Sequence, residues 1–382
     1  MPSAALICSE ALWAHGHGGM HPLRPERLRM TYELLQAYHA FDRADSRLVV
    51  PGPASDEDLG LWHSAEYVDA VRRLGRGDKG IRPRRYNFGP GDNPIFPAMY
   101  ESEALKVGAS LLAARLVTEG EVDVAFSFSG GLHHAMAGHA SGFCVFNDAA
   151  IAIRWLVNQG QRVVYVDIDA HNGDGVQAAF YDTDRVLTIS LHESGDYLFP
   201  GTGFVHECGK GAGKGYSANL PLLPYADDEI YLWAFGQVVP PLIAGFSPDV
   251  LVTQLGIDTH YQDPLAHLNL TTHGFCSLVR TFRDLGLPWV ALGGGGYNIH
   301  TVARAWTLAY GMMSGQTFAD EIPAPYVQAH GDPWLSDHDG PQVSPQDIAL
   351  AREDAQRQVA ILRQTLGPTR FGQVAKGKQP TA

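Results

Sequence analysis

Two hydrophobic textures alternate along this chain. The first is the near-continuous apolar run, found in AALI, VDVAFSF, RVVYV, RVLTISL, PDVLVTQL and LPWVAL. Each is bounded by polar or glycine-rich turns, and such runs read as strands covered on both faces. The second is the helical pattern. PERLRMTYELLQAY places Leu28, Leu34, Leu35 and Tyr38 on one face, with Pro25 near its start. EALKVGASLLAARLVTEG stops at Gly120, and NDAAIAIRWLVNQG at Gly160. GDGVQAAFYD forms a shorter helix between two strand-like runs. Strand and helix in alternation predict an α/β fold with a central, mostly parallel β-sheet flanked by helices on both faces. No repeat, low-complexity block or linker divides the chain. The expectation is one domain over 1–367, with 368–382 (PTRFGQVAKGKQPTA) as a flexible C-terminal tail.

Composition narrows the function. Of 382 residues, 45% are hydrophobic and only 18% charged, which suits a large buried core. The formal charge is −13, from 28 basic and 41 acidic residues, and this argues against direct nucleic-acid binding. A polymeric substrate is therefore expected to be protein. Cys8, Cys144, Cys208 and Cys276 are widely spaced and form no CxxC pair, so neither a disulfide framework nor a cysteine zinc knot is expected. The start has no basic segment followed by an apolar one, and no run approaches the ~20 apolar residues of a membrane span. A cytoplasmic protein with no membrane partner is expected; oligomeric state is not legible.

The chemistry gathers at strand ends. SGGLHH, DIDAHNGD, SLHE, GIDTHYQDP and GGGGYN each follow an apolar run, and parallel sheets collect functional residues there. In DIDAH, Asp167, Asp169 and His171 are spaced by two, so a strand would turn them to one face. Two buried carboxylates on one face need a cation. Asp-x-His offers an oxygen and a nitrogen to a metal such as Zn²⁺, and Asp258 at another strand end would complete a three-ligand set. The bland alternative is an Asp–His hydrogen bond with aspartates capping turns. His133 and His134 follow a strand and two glycines, where an imidazole could serve as a general base. Asp167 and Asp174 are the carboxylates available to orient them. After four glycines, Tyr297 could aim its hydroxyl at a developing oxyanion. A phosphate loop would carry GxGxxG or Lys-Ser/Thr, and neither is here.

In this order and spacing, HPLRPER, GDNPIF, GGLHHA…SGFCVFNDAA, DIDAHNGDGVQ, PGTG and GIDTHYQDPLAHLNLT resemble the zinc-dependent deacetylases. That is the histone-deacetylase superfamily, in its acetoin-utilisation branch close to class I histone deacetylases. The resemblance spans most of the chain and implies the arginase–deacetylase fold. It implies Asp169, His171 and Asp258 as zinc ligands and His134 as general base and acid. It further implies His133 as the electrostatic partner of that base, Asp167 and Asp174 as the acids behind the pair, and Tyr297 as the residue that polarises the carbonyl. Phe143 and Phe199 would wall an acyl-lysine tunnel, with Gly142 beside them, Leu265 at the rim, and Asp92 accepting from a peptide backbone. Zn²⁺ or Fe²⁺ suits the donors. The resemblance adds K⁺ or Na⁺ at Asp167, Asp169, His171, Ser190 and Leu191. An outer cation would sit at Phe180, Thr183, Val186 and Tyr216. Arg27 would line an internal cavity serving acetate exit.

The implied reaction is hydrolysis of a short acyl amide. Acetylated protein is the first choice of substrate, followed by small acetyl-amines and acetylpolyamines. Leu265 stands where polyamine-selective relatives tend to carry a carboxylate. Asn172 replaces a second histidine, and an effect on hydrogen bonding behind the metal is expected. His260 and Tyr261, larger than their class I counterparts, are expected to reshape the tunnel mouth. His15, His17 and His21 form an unpatterned loop cluster, expected to line a pocket or face solvent. A dimetal ureohydrolase on the same fold would want Asp two residues after His171 and an Asp-x-Asp pair later, and both are missing. An acyl-lysine binding module with a decayed site would have lost a ligand or the tyrosine, and all are present.

Overall fold

The computed structural model describes residues 3–367. The expected tail over 368–382 lies outside the described residues. Eight strands form one sheet: β1 (Ala4–Ile7), β2 (Ser46–Val49), β3 (Val124–Ser127), β4 (Val163–Asp167), β5 (Val186–Glu193), β6 (Ser217–Leu222), β7 (Val250–Gln254) and β8 (Trp289–Leu292). Their order is β2-β1-β3-β8-β7-β4-β5-β6, and every pairing is parallel. The apolar runs occupy β1, β3, β4, β5, β7 and β8, whose residues are all buried. The two strands the pattern does not reveal, β2 and β6, are the sheet's edges. β2 is partly exposed, and β6 carries Pro221, which an edge strand tolerates because one side of its ladder is unpaired.

Helices cover both faces, as parallel connections require. Glu26–Ala37 begins after Pro25, and Met99–Thr118 ends before Gly120. Asp148–Asn158 is capped by Asn147, whose Oδ1 accepts the Ala150 N–H at 2.9 Å. Asp174–Phe180, Asp228–Phe246, Thr272–Asp284, Ile299–Met313 and Pro345–Leu366 complete the main set. No helix among the described residues is long and apolar enough to cross a membrane.

One sheet-level fact places the chemistry. β3, β8, β7 and β4 are consecutive neighbours at the centre of the sheet. Their C-terminal ends release the His133–His134 turn, the Tyr297 turn, the Asp258 turn and the Asp169–His171 turn.

Candidate active site

β4 ends at Asp167, so Asp169 and His171 lie beyond it, and strand alternation does not orient them. A chain of side-chain caps does so instead. Asp167 Oδ1 accepts the Asp169 N–H at 3.1 Å, and Asp169 Oδ1 accepts the His171 N–H at 3.0 Å. Aspartate holding the N–H two residues on is a local turn that competes with strand, which is why the strand stops. Between them, the Ala170 N–H donates to Asp258 Oδ1 at 2.8 Å, joining the turns after β4 and β7.

These links bring Asp169, His171 and Asp258 together. Among the described residues they are the one group of three or more His, Cys, Asp or Glu side chains arranged to hold a metal ion, their donor atoms within 4.8 Å of one another. His171 Nδ1 is 3.0 Å from both Asp169 Oδ1 and Asp258 Oδ2. All three are buried. Burial, and then the charge of Asp169, pushes the Asp258 carboxyl up. Two carboxylates and one imidazole are a hard, borderline donor set that fits a divalent cation. The surrounding backbone is moulded to it. A Cβ on Gly295 would lie 2.0 Å from Asp258 Oδ2, and one on Gly256 2.1 Å from Asp169 Oδ2. Asp169 Oδ2 also accepts from Gln254 Nε2 at 2.6 Å and from the Gly295 N–H at 2.7 Å.

The two histidines sit beside this group. Asp148 fixes their turn, accepting the Leu132 N–H at 2.8 Å and the Gly131 N–H at 2.9 Å. His133 Nδ1 meets Asp167 Oδ2 at 2.8 Å, and Tyr165 donates its hydroxyl to the same oxygen at 2.7 Å. His134 Nδ1 meets Asp174 Oδ1 at 2.8 Å. Burial opposes charge on His133, but Asp167 and Asp169 outweigh it and raise its pKa to about 9. Burial and then the charge of His133 lower His134 to about 4, against the pull of Asp174.

Aromatic rings enclose the approach. Phe199 stands edge-on to His134 with centroids 5.0 Å apart, and Phe143 edge-on to Tyr297 at 5.6 Å. Gly142 runs between ring and base: a Cβ there would lie 2.5 Å from His134 Cδ2 and 2.8 Å from Phe199 Cε1, at φ +49°. The Tyr297 N–H donates to Asp263 Oδ2 at 2.8 Å. Burial, then Asp258 and Asp169, raise the Tyr297 hydroxyl well above its usual range, so it stays protonated. A small space behind is lined by Leu23, Leu132, Cys144, Gly295 and Tyr297. Beyond it, Arg27 is buried, donates to Gly296 O at 3.1 Å, and borders a second cavity with Leu28 and Ser129.

The remaining candidates are more dispersed. Asp92 is exposed, and its carbonyl meets His21 Nε2 at 3.2 Å. Leu265 is half-buried. Ser190 bonds His192 Nδ1 at 2.7 Å, and Leu191 O accepts the Tyr231 hydroxyl at 3.0 Å. Phe180 ends the helix Asp174–Phe180 and Thr183 lies beyond it, its N–H donating to Phe180 O at 3.4 Å, while Val186 opens β5 and Tyr216 precedes β6.

One expectation changes and two gain detail. His260 does not shape a tunnel mouth. It is fully buried, with Nε2 2.8 Å from Asp337 Oδ2. The loop histidines brace the pocket: His17 Nε2 meets Phe143 O at 3.0 Å, and the rings of His17 and His21 pack at 4.2 Å. Asn172 is a bridge, donating to Asn219 Oδ1 and accepting from Thr202, both at 3.1 Å. Gln254, Tyr165, Asp148 and Asp263 escaped the sequence reading as supports. Asp148, inside the quoted SGFCVFND, carried the clearest available signal.

A buried two-carboxylate, one-imidazole group beside a paired, aspartate-backed histidine dyad defines a metal-dependent hydrolase. The histone deacetylase domain model matches residues 21–313, and the chain belongs to that family of metal-dependent amide hydrolases. Among its relatives, the acetoin utilization protein AcuC of Bacillus subtilis is 42% identical over 80% of this chain and 81% of its own. The histone deacetylase clr6 of Schizosaccharomyces pombe is 37% identical over 82% and 78%. A histone deacetylase homolog from Aquifex aeolicus has a similar structure, with TM-score 0.83, 32% identity, and coverage of 93% of this chain and 100% of its own. The homolog solved in complex with SAHA matches equally well.

Proposed function

We propose that this chain removes acetyl or other short acyl groups from amines, with the ε-acetyl-lysine of proteins as first substrate. The observation that carries this reading is the placement of His134 between its acid, Asp174, and the Asp169–His171–Asp258 group, under the Phe143 and Phe199 rings. A divalent cation on those three residues, Zn²⁺ or Fe²⁺, would polarise the amide carbonyl and acidify water. His134 supplies the base. Its Nδ1–H is engaged by Asp174, which leaves Nε2 to take the water's proton and pass it to the leaving amine. Tyr297, held protonated, donates to the developing oxyanion. Phe143 and Phe199 hold the uncharged alkyl stem of the acyl-lysine, and Gly142 keeps the passage open. Asp92 offers a carboxylate to the peptide backbone, and Leu265 gives the rim an apolar surface. Asp167, Ser190 and Leu191, with Asp169 and His171, would hold K⁺ or Na⁺ close by. Phe180, Thr183, Val186 and Tyr216 would hold the outer one. The likeness to a homolog solved with SAHA supports a site that admits a small ligand. The net charge of −13 favours an enzyme that does not bind nucleic acid directly.

The test is a panel of acetyl-lysine peptides against acetylpolyamines, with wild type and Tyr297→Phe. Peptides are the better substrates, and Tyr297→Phe loses about 10²–10³-fold in kcat while keeping its metal. Absence of hydrolysis of any acyl-amine by metal-loaded protein refutes the reading. A preference for acetylpolyamines replaces its substrate.

A further inference from the structure

Asp337 lies beyond residue 313, where the family match ends, yet it is buried and fully engaged. Its Oδ2 accepts from His260 Nε2 at 2.8 Å and from the Thr272 N–H at 2.7 Å. Its Oδ1 accepts from Arg304 Nη2 at 2.9 Å. Its own N–H donates to Thr272 Oγ1 at 2.8 Å. One carboxylate thus joins the turn after β7 to the start of the helix Thr272–Asp284 and to the helix Ile299–Met313.

The His260 side leads to the site. The Gln262 N–H donates to His260 Nδ1 at 3.1 Å, so Nδ1 is the bare nitrogen and Nε2 carries the proton given to Asp337. The His260 carbonyl accepts the Asp263 N–H at 2.8 Å. Asp263 then holds the Tyr297 N–H through Oδ2 and the Leu265 N–H through Oδ1, at 2.8 and 2.9 Å. The Arg304 side leads to the same place, because its helix starts at Ile299 and is capped by Asn298, the residue after Tyr297.

We propose that the Asp337–His260 pair is a positioning brace for Tyr297, supplied by the segment that follows the family domain. The inference rests on the reading that Tyr297 donates to the reacting carbonyl. A buried ion-paired carboxylate adds little net stability over an apolar substitute, but its donors give it one geometry. Reaction rate is sensitive to that geometry, since a displacement of ~1 Å can cost about 10²-fold. The brace acts on kcat through the tyrosine and leaves the aromatic tunnel, and so KM, nearly unchanged.

The experiment uses His260→Leu, which leaves Asp337 paired with Arg304 and Thr272, and His260→Gln, which keeps a donor toward Asp337. With an acetyl-lysine peptide, His260→Leu lowers kcat about 10- to 100-fold, with little change in KM or metal content. His260→Gln recovers part of the loss. On a Tyr297→Phe background, His260→Leu lowers kcat no further, because both act through one group. If His260→Leu does not fold, Asp337→Asn and His260→Gln carry the same comparison. Wild-type kcat in the folded, metal-loaded variants, or a multiplicative loss with Tyr297→Phe, overturns the brace. Full activity in Tyr297→Phe alone is a different result: it removes the role of the tyrosine itself.

Discussion

The Nε2 atoms of His133 and His134 face each other at 3.0 Å, while each Nδ1 is backed by its own aspartate. Only one of the two rings carries a charge. The proton belongs to His133, because Asp167 and Asp169 overcome its burial and raise it to about 9. His134, lowered to about 4, stays neutral. The pair is a fixed charge next to a free base, and removing its members has unequal effects. His134→Ala lowers kcat about 10²–10⁴-fold, the worth of a general base. His133→Ala costs less. Steady-state kinetics on both variants with confirmed metal content checks the order; the reverse order exchanges the two roles.

Metal removal is the second prediction. Dialysis against a chelator abolishes hydrolysis and lowers the thermal midpoint, because an ion that binds only the folded chain stabilises it by about 2.7 kcal/mol at a hundred times its Kd. Zn²⁺ or Fe²⁺ restores both. Asp258→Asn lowers metal affinity without disturbing the dyad, whose acids are Asp167 and Asp174. Elemental analysis should find one divalent ion per chain; two Mn²⁺ would return the assignment to a dimetal ureohydrolase.

Asn172 makes a third. Through Thr202 it ties the Phe199-bearing segment to Asn219 on β6. Asn172→Ala removes hydrogen bonds worth about 1 kcal/mol each, and the loosened Phe199 wall raises KM about fivefold with kcat nearly constant. An unchanged KM with a lost metal would mean that Asn172 serves the ion instead.

Stability should depend on pH through His63, which lies away from the metal group. It is buried, and its Nε2 accepts the Asn147 N–H at 3.0 Å, so the folded ring is neutral. Burial lowers it to about 3, against about 6.5 for an unfolded histidine. Between those values the unfolded chain binds the extra proton. The contribution is therefore complete above about pH 6.5 and is lost as pH falls toward 3. Urea unfolding at pH 7.5 and pH 5.0 should show His63→Gln losing about 2 kcal/mol less than wild type over that interval. Equal losses in the two proteins would exclude His63 as a source.

The apolar runs and glycine stops revealed every interior strand and several of the helices, because a strand covered on both faces must be apolar throughout. The edges β2 and β6 were hidden because β2 is partly exposed, with Arg47 in it, and the apolar run of β6 is broken by Asn219 and Pro221. In the site, Asp169, His171 and Asp258 were legible as residue types at strand ends. Their orientation was not, since it comes from aspartates capping N–H groups past the end of β4. His260 was misread because the sequence places it two residues after Asp258, while its partner Asp337 is distant along the chain and adjacent only in space.

The sequence by itself therefore determined the fold class, the family resemblance and the chemistry available at each strand end. Only the tertiary structure decided which of these ends meet. Strand order, β3-β8-β7-β4, is set by crossover packing across the whole sheet and has no local signature. The supports at Gln254, Asp148, Asp263 and Asp337 share that origin: a polar side chain names its chemistry in the sequence, but its partner is fixed only when the chain closes around it.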